Sequence, residues 1–565
     1  MARITKESFI ELNGRERAKS LIDKGTFREL LGPFEGIESP HLEPQGIVPE
    51  SDDGVIIARG TINGQSSVVI SIEGAFQGGG IGEVSGAKIA GALELALCDN
   101  ENGTKTYPVM LFDTGGVRLQ EANYGLLSIS EIGSAVAALR QHVPVIGVIP
   151  GNVGCFGGMS ITAALFSHLI MTKEARFGLN GPEVIEQEAG IEEFDSSDRQ
   201  LIWGTIGGKQ RYVTGFADYL VNDDIQEILQ AIQKTFTEGK KEINRTEQVE
   251  LYRSLLNKVD PNQSINPEDF RQLWKQVTQG DQSIQTANDS QKKLEGTPES
   301  RGKTWFTALT GIENPMTDIP SVLYGDTQFG NERVRYISVV PNPNNRFPRA
   351  RNGEVGLDEG WAIAKCVREA IDEDKDGNRR AIVAIVDVPS QAYGYLEELF
   401  GIHYACAAAA DAYAAARRSG HPVISLIVGK AISGAFLAHG YQANRILALH
   451  DKGVNVHAMS KSSAARITKR SIEELDEATK KVPAMAYDID SYATLGALND
   501  LINGINADSP SSQDVETIKD KLMNAITDVR HDSTDLSIRL RTEAALEGGR
   551  KASIVVRKKL AEQWS

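Results

Sequence analysis

The sequence has few cysteines, and their spacing excludes two classes of protein. Its 565 residues include four cysteines, and no two of them form a C-x-x-C pair. A disulfide-stabilised secreted scaffold has a much higher cysteine content, and a structural zinc site requires closely spaced Cys or His ligands. We therefore expect neither a disulfide framework nor a metal site in this chain.

Long apolar runs and an excess of positive charge are also missing. No segment reaches the length of about 18 uncharged apolar residues that marks a candidate membrane-spanning helix, and the charged N-terminus lacks the apolar core of a secretory signal. Lys and Arg number 60 against 76 Asp and Glu, so the formal net charge is -16. Nucleic acid and anionic membrane surfaces are therefore disfavoured as partners, and we predict a soluble, cytoplasmic protein.

The length of the chain predicts two large domains, because a single hydrophobic core rarely extends over 565 residues. Between residues 225 and 300 the sequence becomes rich in Gln, Lys, Glu and Asn, and the segment 280–303 has the polar composition of a linker. We predict a first domain at 1–279 and a second domain at 304–565.

Apolar strands alternate with helices in each predicted domain. Runs rich in β-branched residues at 54–60, 66–71 and 108–112 predict strands. Asp113 follows the third run directly, and a similar run in the second domain, 381–387, ends at Asp387. Strands that alternate with helices predict an α/β fold with right-handed crossovers.

A Gly-rich turn follows another predicted strand of the first domain. The strand 144–149 leads into residues 151–160, with the sequence GNVGCFGGMS, and then into a helix of small residues. Because the first N–H groups of a helix have no partner within the helix, a turn of this kind binds an anionic oxygen. We expect a site here, although tight packing of strand against helix is the other interpretation of the paired glycines.

The second domain repeats this arrangement. The strand 422–427 leads into residues 429–435, with the sequence GKAISGA. The interval from the acid that ends the preceding strand to the proline that begins this strand is 31 residues in the first domain and 35 in the second. This agreement over two strand–helix units indicates an internal repeat of a whole domain.

Several segments together resemble a known family. They are 14–18 (GRERA), 23–27 (DKGTF), 78–83 (GGGIGE), 113–121 (DTGGVRLQE), 157–158 (GG) and 429–435 (GKAISGA). The chain resembles the crotonase-fold carboxyltransferases, and most closely the fused beta and gamma subunits of biotin-independent malonate decarboxylase, over residues 6–235 and 315–505. Unlike the biotin-dependent members of the family, it has neither a four-cysteine zinc ribbon nor an Ala-Met-Lys-Met biotinylation motif.

The resemblance implies a fold and a pair of catalytic sites. The fold is two tandem crotonase-like domains of the ClpP/crotonase superfamily, each a ββα superhelix, with a beta-type domain followed by a gamma-type domain and its helical C-terminal extension. Each half would contain an oxyanion hole, with backbone donors at Gly157 and Gly158 in the first and at Gly434 and Ala435 in the second. One hole would bind the thioester oxygen. The other, which binds the biotin urea oxygen in biotin-dependent relatives, would bind the leaving carboxylate or be vestigial.

Further site candidates lie in the loops near the Gly-rich turn of residues 151–160, which we call the first turn. We assign substrate binding to Gly79 and Gly80 and to Gly115 and Gly116, because glycine permits a close approach of the backbone to a ligand. Arg118 would contact a phosphate or a carboxylate, and a structural salt bridge is the alternative.

The second domain contains candidate side chains as well. Arg346, Arg349 and Arg351 would bind the phosphates of a CoA-like arm, with an ordinary solvated loop as the alternative. His403 and Tyr404 are the best candidates for protonating an enolate, with simple packing as the alternative.

Three functions remain open at this point. The first is the catalytic beta–gamma component of malonate decarboxylase, which would convert a malonyl thioester to the acetyl thioester and CO2 through an enolate. It implies no cofactor on this chain, an acyl carrier protein with a CoA-derived prosthetic arm, an alpha-type transferase subunit, and a homo- or hetero-oligomer. The second is a biotin-dependent carboxyltransferase, and the third is a non-catalytic assembly subunit.

Overall fold

The computed structural model describes residues 6–279, 298–313, 315 and 317–565. The chain forms two compact units: unit 1 is Met1–Arg245 with Lys551–Ser565, and unit 2 is Thr246–Arg550. This division differs from the predicted boundaries at 279 and 304, because residues 246–279 pack within unit 2, where Tyr252 stacks on Trp361 at a ring distance of 4.5 Å. Most of the predicted linker 280–303 lies outside the described residues.

Unit 1 contains a seven-stranded sheet in which the strands follow their chain order. The first three strands are antiparallel and the remaining four are parallel to the third. The strands are β1 (Arg28–Leu30), β2 (Val55–Ile62), β3 (Gln65–Ile72), β4 (Tyr107–Leu111), β5 (Ile146–Ile149), β6 (His168–Thr172) and β7 (Tyr219–Val221).

The helices of unit 1 bury its core against this sheet. They are α1 (Gly14–Leu21), α2 (Glu83–Glu101), α3 (Ala122–Leu139), α4 (Gly157–Ala164), α5 (Pro182–Ala189), α6 (Arg199–Ile206), α7 (Gly208–Val213) and α8 (Ile225–Glu238). One cluster of buried side chains joins α1 and α8 to strands β2 to β6. The short β5 is apolar along its whole length because it is buried within the parallel part of the sheet.

Unit 2 repeats the same series, with an antiparallel hairpin followed by parallel strands. Its strands are β8 (Val322–Phe329), β9 (Glu332–Val339), β10 (Ala381–Val388), β11 (Val423–Ile432), β12 (Arg445–Leu449), β13 (Asn455–His457) and β14 (Asp500–Ile502). The sheet order is β8, β9, β10, β11, β12 and β14, with β13 beside β11. The predicted α/β class and the internal repeat are confirmed.

The helices of unit 2 include a closely packed pair rich in small residues. The helices are α9 (Val249–Asn257), α10 (Pro267–Gln279), α11 (Arg301–Thr310), α12 (Leu357–Glu373), α13 (Tyr395–Leu399), α14 (Ile402–Arg418), α15 (Ser433–Ala438), α16 (Lys461–Ile467), α17 (Ile472–Lys481), α18 (Ile489–Ala493) and α19 (Ser512–Arg530). A Cβ atom at Gly360 of α12 would lie 2.6 Å from the backbone of Ala405 in α14. The many alanines of α14 therefore serve a close contact between two helix backbones.

The last helix, α20 (Lys551–Glu562), belongs to unit 1. It packs on α2, where Gly91 leaves room for Arg557 and Leu560. Arg557 forms ion pairs of 2.8 Å with Glu94 and with Glu131. The final segment of the helical extension, which the sequence analysis assigned to the second domain, buries Val556 and Leu560 in the first unit.

The described part of the chain lacks two kinds of feature. No helix there is both long enough and apolar enough to cross a membrane. The same residues contain no group of three or more His, Cys, Asp or Glu side chains that could bind a metal ion.

Candidate functional site

Three loops of unit 1 meet at the carboxyl ends of β3, β4 and β5, where parallel strands bring their ends to one edge of the sheet. The N–H of Gly115, after β4, donates to the carbonyl of Gly78, after β3, at 2.9 Å. The N–H of Phe156, after β5, donates to the carbonyl of Thr114 at 3.0 Å. Backbone hydrogen bonds therefore join the three predicted Gly-rich segments into one surface.

The contacts between these loops are too close for side chains. A Cβ atom at Gly79 would lie 2.0 Å from the carbonyl oxygen of Asp113, and one at Gly116 would lie 2.9 Å from the Cα of Gly157. Gly157 also has a φ of 58°, in the left-handed region that favours glycine. The structure thus brings together the predicted residues Gly79, Gly116 and Gly157.

Gly80 and Gly115 belong to the same surface. A Cβ atom at Gly80 would lie 3.1 Å from the Cα of Arg118. Gly115 is exposed, and a Cβ atom there would meet only the carbonyl oxygen of Gly78, at 3.5 Å. The exposed backbone of Gly115 is therefore accessible to a ligand.

The two predicted donors of the first turn differ in availability. The N–H of Gly157 donates to the carbonyl oxygen of Leu179 at 2.8 Å, which removes it from the predicted oxyanion hole. The N–H groups of Gly158 and Met159, at the start of α4, have no acceptor among the described residues. Since the N-terminus of a helix carries a partial positive charge, this pair suits an anionic oxygen. The sequence pattern does not point to Met159, because its apolar side chain gives no signal for a backbone role.

Asp113 fixes the loop that carries these donors. Its carboxylate accepts hydrogen bonds from the N–H of Val153 at 2.8 Å and of Gly154 at 3.3 Å. It also forms an ion pair of 2.9 Å with Arg17 of α1. Burial raises the pKa of Asp113, although Arg17 opposes this change. Asp113, which follows β4, therefore fixes the position of the first turn through these hydrogen bonds.

Arg118 forms a structural salt bridge, which is the alternative to substrate binding that the sequence left open. Its guanidinium lies 2.6 Å from a carboxylate oxygen of Asp53 and 3.5 Å from one of Glu121. The side chain is buried and packs over the ring of Phe76. This arrangement favours a salt bridge that supports the loop and leaves the predicted contact with substrate without support from the geometry.

Cys155 of the first turn is also fully buried. Burial raises the pKa of its thiol well above the ordinary value. A thiol nucleophile at this position is therefore disfavoured.

The second turn, residues 429–435 of unit 2, matches the first turn in one backbone angle but has an acceptor at its predicted donor. Ser433 has a φ of 59°, close to the value at Gly157. The N–H of Gly434, the next residue, donates to the side-chain oxygen of Gln391 at 3.0 Å in a buried hydrogen bond. The predicted donor at Gly434 is therefore already satisfied within the chain, and Ala435 follows it in the short α15.

The predicted proton donors are the second and third residues of α14. His403 and Tyr404 have no exposed surface, and their rings lie 4.8 Å apart. A role in protonating an enolate stays a prediction for these two residues.

The three arginines of the loop after β9 have different environments. Arg346 forms a two-pronged ion pair with Asp358, with both contacts at 2.6 Å, and donates to the carbonyl of Leu256 at 2.8 Å. It is therefore structural. Arg349 is half-buried, and Arg351 is exposed with one hydrogen bond of 3.1 Å from Nε to the carbonyl of Asn345. Arg351 is thus the better candidate of the three for binding phosphate.

Two protein families match the chain, one in each half. The family described as carboxyl transferase domain matches residues 11–319, and the family described as malonate decarboxylase gamma subunit matches residues 350–564. The malonyl-S-ACP:biotin-protein carboxyltransferase MADC of Malonomonas rubra is 41% identical over 281 residues, which are 47% of this chain and 88% of the relative. MADD of the same organism is 38% identical over 192 residues, which are 33% of this chain and 66% of the relative.

A solved structure is similar in sequence over one half of the chain. A Pseudomonas malonate decarboxylase hetero-tetramer in complex with malonate is 53% identical and covers 48% of this chain and 98% of its own, with a TM-score of 0.47.

Proposed function

The chain belongs to the carboxyl transferase family and continues into a region of malonate decarboxylase gamma type, and from this premise we propose that it releases CO2 from a malonyl thioester at the first turn. It is a fused beta–gamma enzyme of tandem crotonase-like units that acts on malonyl thioesters. The observation that supports the proposed site is the pair of N–H groups at Gly158 and Met159, which have no acceptor among the described residues.

The proposed reaction stores charge on one oxygen. The bond between the carboxylate carbon and the α-carbon breaks, CO2 leaves, and the electron pair moves to the thioester oxygen as an enolate. Backbone donors fixed at a helix start stabilise that oxygen without reorganisation, and losing one such donor typically lowers the rate by about 10² to 10³-fold. A proton added to the α-carbon then gives the acetyl thioester.

The partners follow from the same proposal. Relatives of this chain are components of hetero-oligomers, since solved Pseudomonas structures are described as a malonate decarboxylase hetero-tetramer and an MdcD-MdcE hetero-dimer. We propose that an acyl carrier protein presents the malonyl group on a CoA-derived arm and that an alpha-type transferase subunit loads it, with no cofactor on this chain itself. The cytoplasmic location predicted from the sequence stays a prediction.

A second function has a specific observation in its favour. The names of MADC and MADD describe transfer to a biotin protein. In that case the carboxyl group would move to biotin on a separate carrier, and release of CO2 from the thioester would require that carrier.

The test measures CO2 and acetyl thioester formed from malonyl-CoA and from malonyl-loaded acyl carrier protein, with neither biotin nor ATP present. Decarboxylation predicts equal amounts of the two products. Turnover that depends strictly on a biotinylated carrier would overturn the decarboxylase proposal in favour of the carboxyltransferase. A folded chain that is inactive both without biotin and with a biotinylated carrier would support an assembly role instead.

A further inference from the structure

Val117 of unit 1 and Gln391 of unit 2 occupy the same place in the repeat. In unit 1, Ile81 donates its N–H to the residue before Val117 and accepts from the residue after it, both at 2.9 Å. In unit 2, Val355 makes the same two bonds around Gln391, both at 3.0 Å. The two bridges are parallel in both units. The side chains at these two positions are therefore directly comparable.

The residues that follow the two central strands are comparable as well. Gly157 and Ser433 have φ angles of 58° and 59°, and each is followed by a glycine, Gly158 or Gly434. Each of these glycines is the second residue of a short helix. The two turns therefore present equivalent backbone N–H groups.

The occupants of these N–H groups differ because the comparable side chains differ. Gln391 is 5% exposed, and its carboxamide oxygen accepts from the N–H of Gly434 at 3.0 Å. Val117 has no acceptor atom in its side chain, and the N–H of Gly158 has no acceptor among the described residues. In unit 2 the side-chain oxygen of Gln391 thus accepts from the N–H of Gly434, whereas in unit 1 the N–H of Gly158 is left for a ligand.

We propose that Gln391 is a specificity-determining residue that closes the second turn to carbonyl and carboxylate ligands, so that the oxyanion of the reaction forms at the first turn alone. A ligand oxygen at Gly434 would have to displace the carboxamide of Gln391, which belongs to the chain itself and is already buried away from water. No such competitor meets a ligand at Gly158. This inference rests on the proposed function and adds to it which of the two turns performs the chemistry.

An exchange of the two side chains tests the proposal. Val117→Gln should deliver a carboxamide oxygen to Gly158 and lower kcat by about 10²-fold, the effect of losing a backbone donor, with a smaller change in KM. Leucine has a bulk similar to that of glutamine but no acceptor atom. The kcat of Val117→Leu should therefore stay within about fivefold of the wild-type value if the loss of the Gly158 donor alone lowers kcat in Val117→Gln. Gln391→Val should leave kcat within about threefold, well short of the loss of a donor.

Amide hydrogen exchange supplies a readout that does not depend on activity. The amide of Gly434 should be protected in the wild type and in Gln391→Glu, whose carboxylate still accepts from it, and should exchange faster in Gln391→Val. Peptides that cover residues 429–440, followed by mass spectrometry, report this change. Unchanged protection in Gln391→Val would overturn the closure of the second turn.

The outcomes separate the two proposals. If the wild type releases no CO2 from a malonyl thioester, the proposed function fails, while the exchange data still decide whether Gln391 closes the second turn. If the wild type is active but Gln391→Val is as impaired as Val117→Gln, the assignment of the chemistry to the first turn is overturned. Equal activity of folded Val117→Gln and wild type would overturn it too.

Discussion

A substitution at Gly158 should lower catalysis while it leaves the stability of the fold nearly unchanged. The φ of Gly158 lies outside the left-handed region, so a larger residue is compatible with its backbone. We expect Gly158→Val to place a branched side chain at the donor pair and to lower CO2 release by at least about 10²-fold. The melting temperature should move by only a few degrees, about the effect of 1 kcal/mol in a unit of this size.

The control for this variant is Gly377→Val, at a glycine of unit 2 where an added Cβ atom would have no neighbour within 4 Å. It should retain full activity. A well-folded and fully active Gly158→Val would show that the first turn does not bind the enolate oxygen.

We expect the stability of unit 2 to depend on pH through His439. Its ring nitrogens contact the hydroxyl of Tyr413 and the carbonyl of Ile385, both at 3.0 Å, and burial lowers its pKa to about 4. The unfolded chain, with an ordinary His pKa near 6.5, binds the proton first as pH falls. This contribution is therefore complete above about pH 6.5 and is lost between about pH 6.5 and 4, with a size of about 3 kcal/mol.

The measurement compares urea unfolding of the wild type with His439→Gln at pH 7.5, 6 and 5. The difference between the two proteins should shrink as the pH falls. His142→Gln, at an exposed position, controls for the replacement of a histidine by glutamine as such. A difference between the wild type and His439→Gln that stays constant with pH would contradict the neutral, buried imidazole.

At the scale of elements, the close contact between α12 and α14 leaves no room for a side chain at Gly360. Gly360→Ala would place a methyl group 2.6 Å from the backbone of Ala405, so the helices must separate. We expect a loss of about 1 to 3 kcal/mol in the free energy of unfolding, typical of overpacking. Gly377→Ala, at an open position, is the matched control. Equal stability of the two variants would mean that α12 and α14 do not pack this closely.

At the scale of the whole molecule, the C-terminal helix stabilises the unit that is most distant from it in sequence. Arg557 lies between Glu94 and Glu131, and Glu131 is buried. Arg557→Met should therefore destabilise unit 1 by about 3 kcal/mol, because it removes the ion pair that Arg557 forms with this buried carboxylate. Lys558→Met, on the exposed side of the same helix, should have little effect.

Thermal unfolding of both variants, with the chain truncated after Arg550 as a third sample, measures this contribution. The truncated chain should be less stable than Arg557→Met, because it also loses the buried Val556 and Leu560. Truncation without any loss of stability would contradict the assignment of α20 to unit 1.

The sequence alone determined the six strands that it predicted, β2 to β5, β10 and β11, together with the repeat and the position of the first turn. These features are local: β-branched runs define the strands, paired glycines mark the turns, and the intervals between acid and proline are nearly equal in the two halves. Six of the predicted glycines therefore lie where the sequence placed them, at the ends of β3, β4 and β5 and the start of α4.

Only the tertiary structure decided which of these groups are available. Leu179 accepts from Gly157, Gln391 accepts from Gly434, and Asp53 pairs with Arg118. The segment 551–565 likewise packs in unit 1 although it follows unit 2 in the chain. Each of these outcomes depends on a partner that is distant in sequence, and local periodicity has no information about which distant donor and acceptor the fold brings within hydrogen-bonding distance.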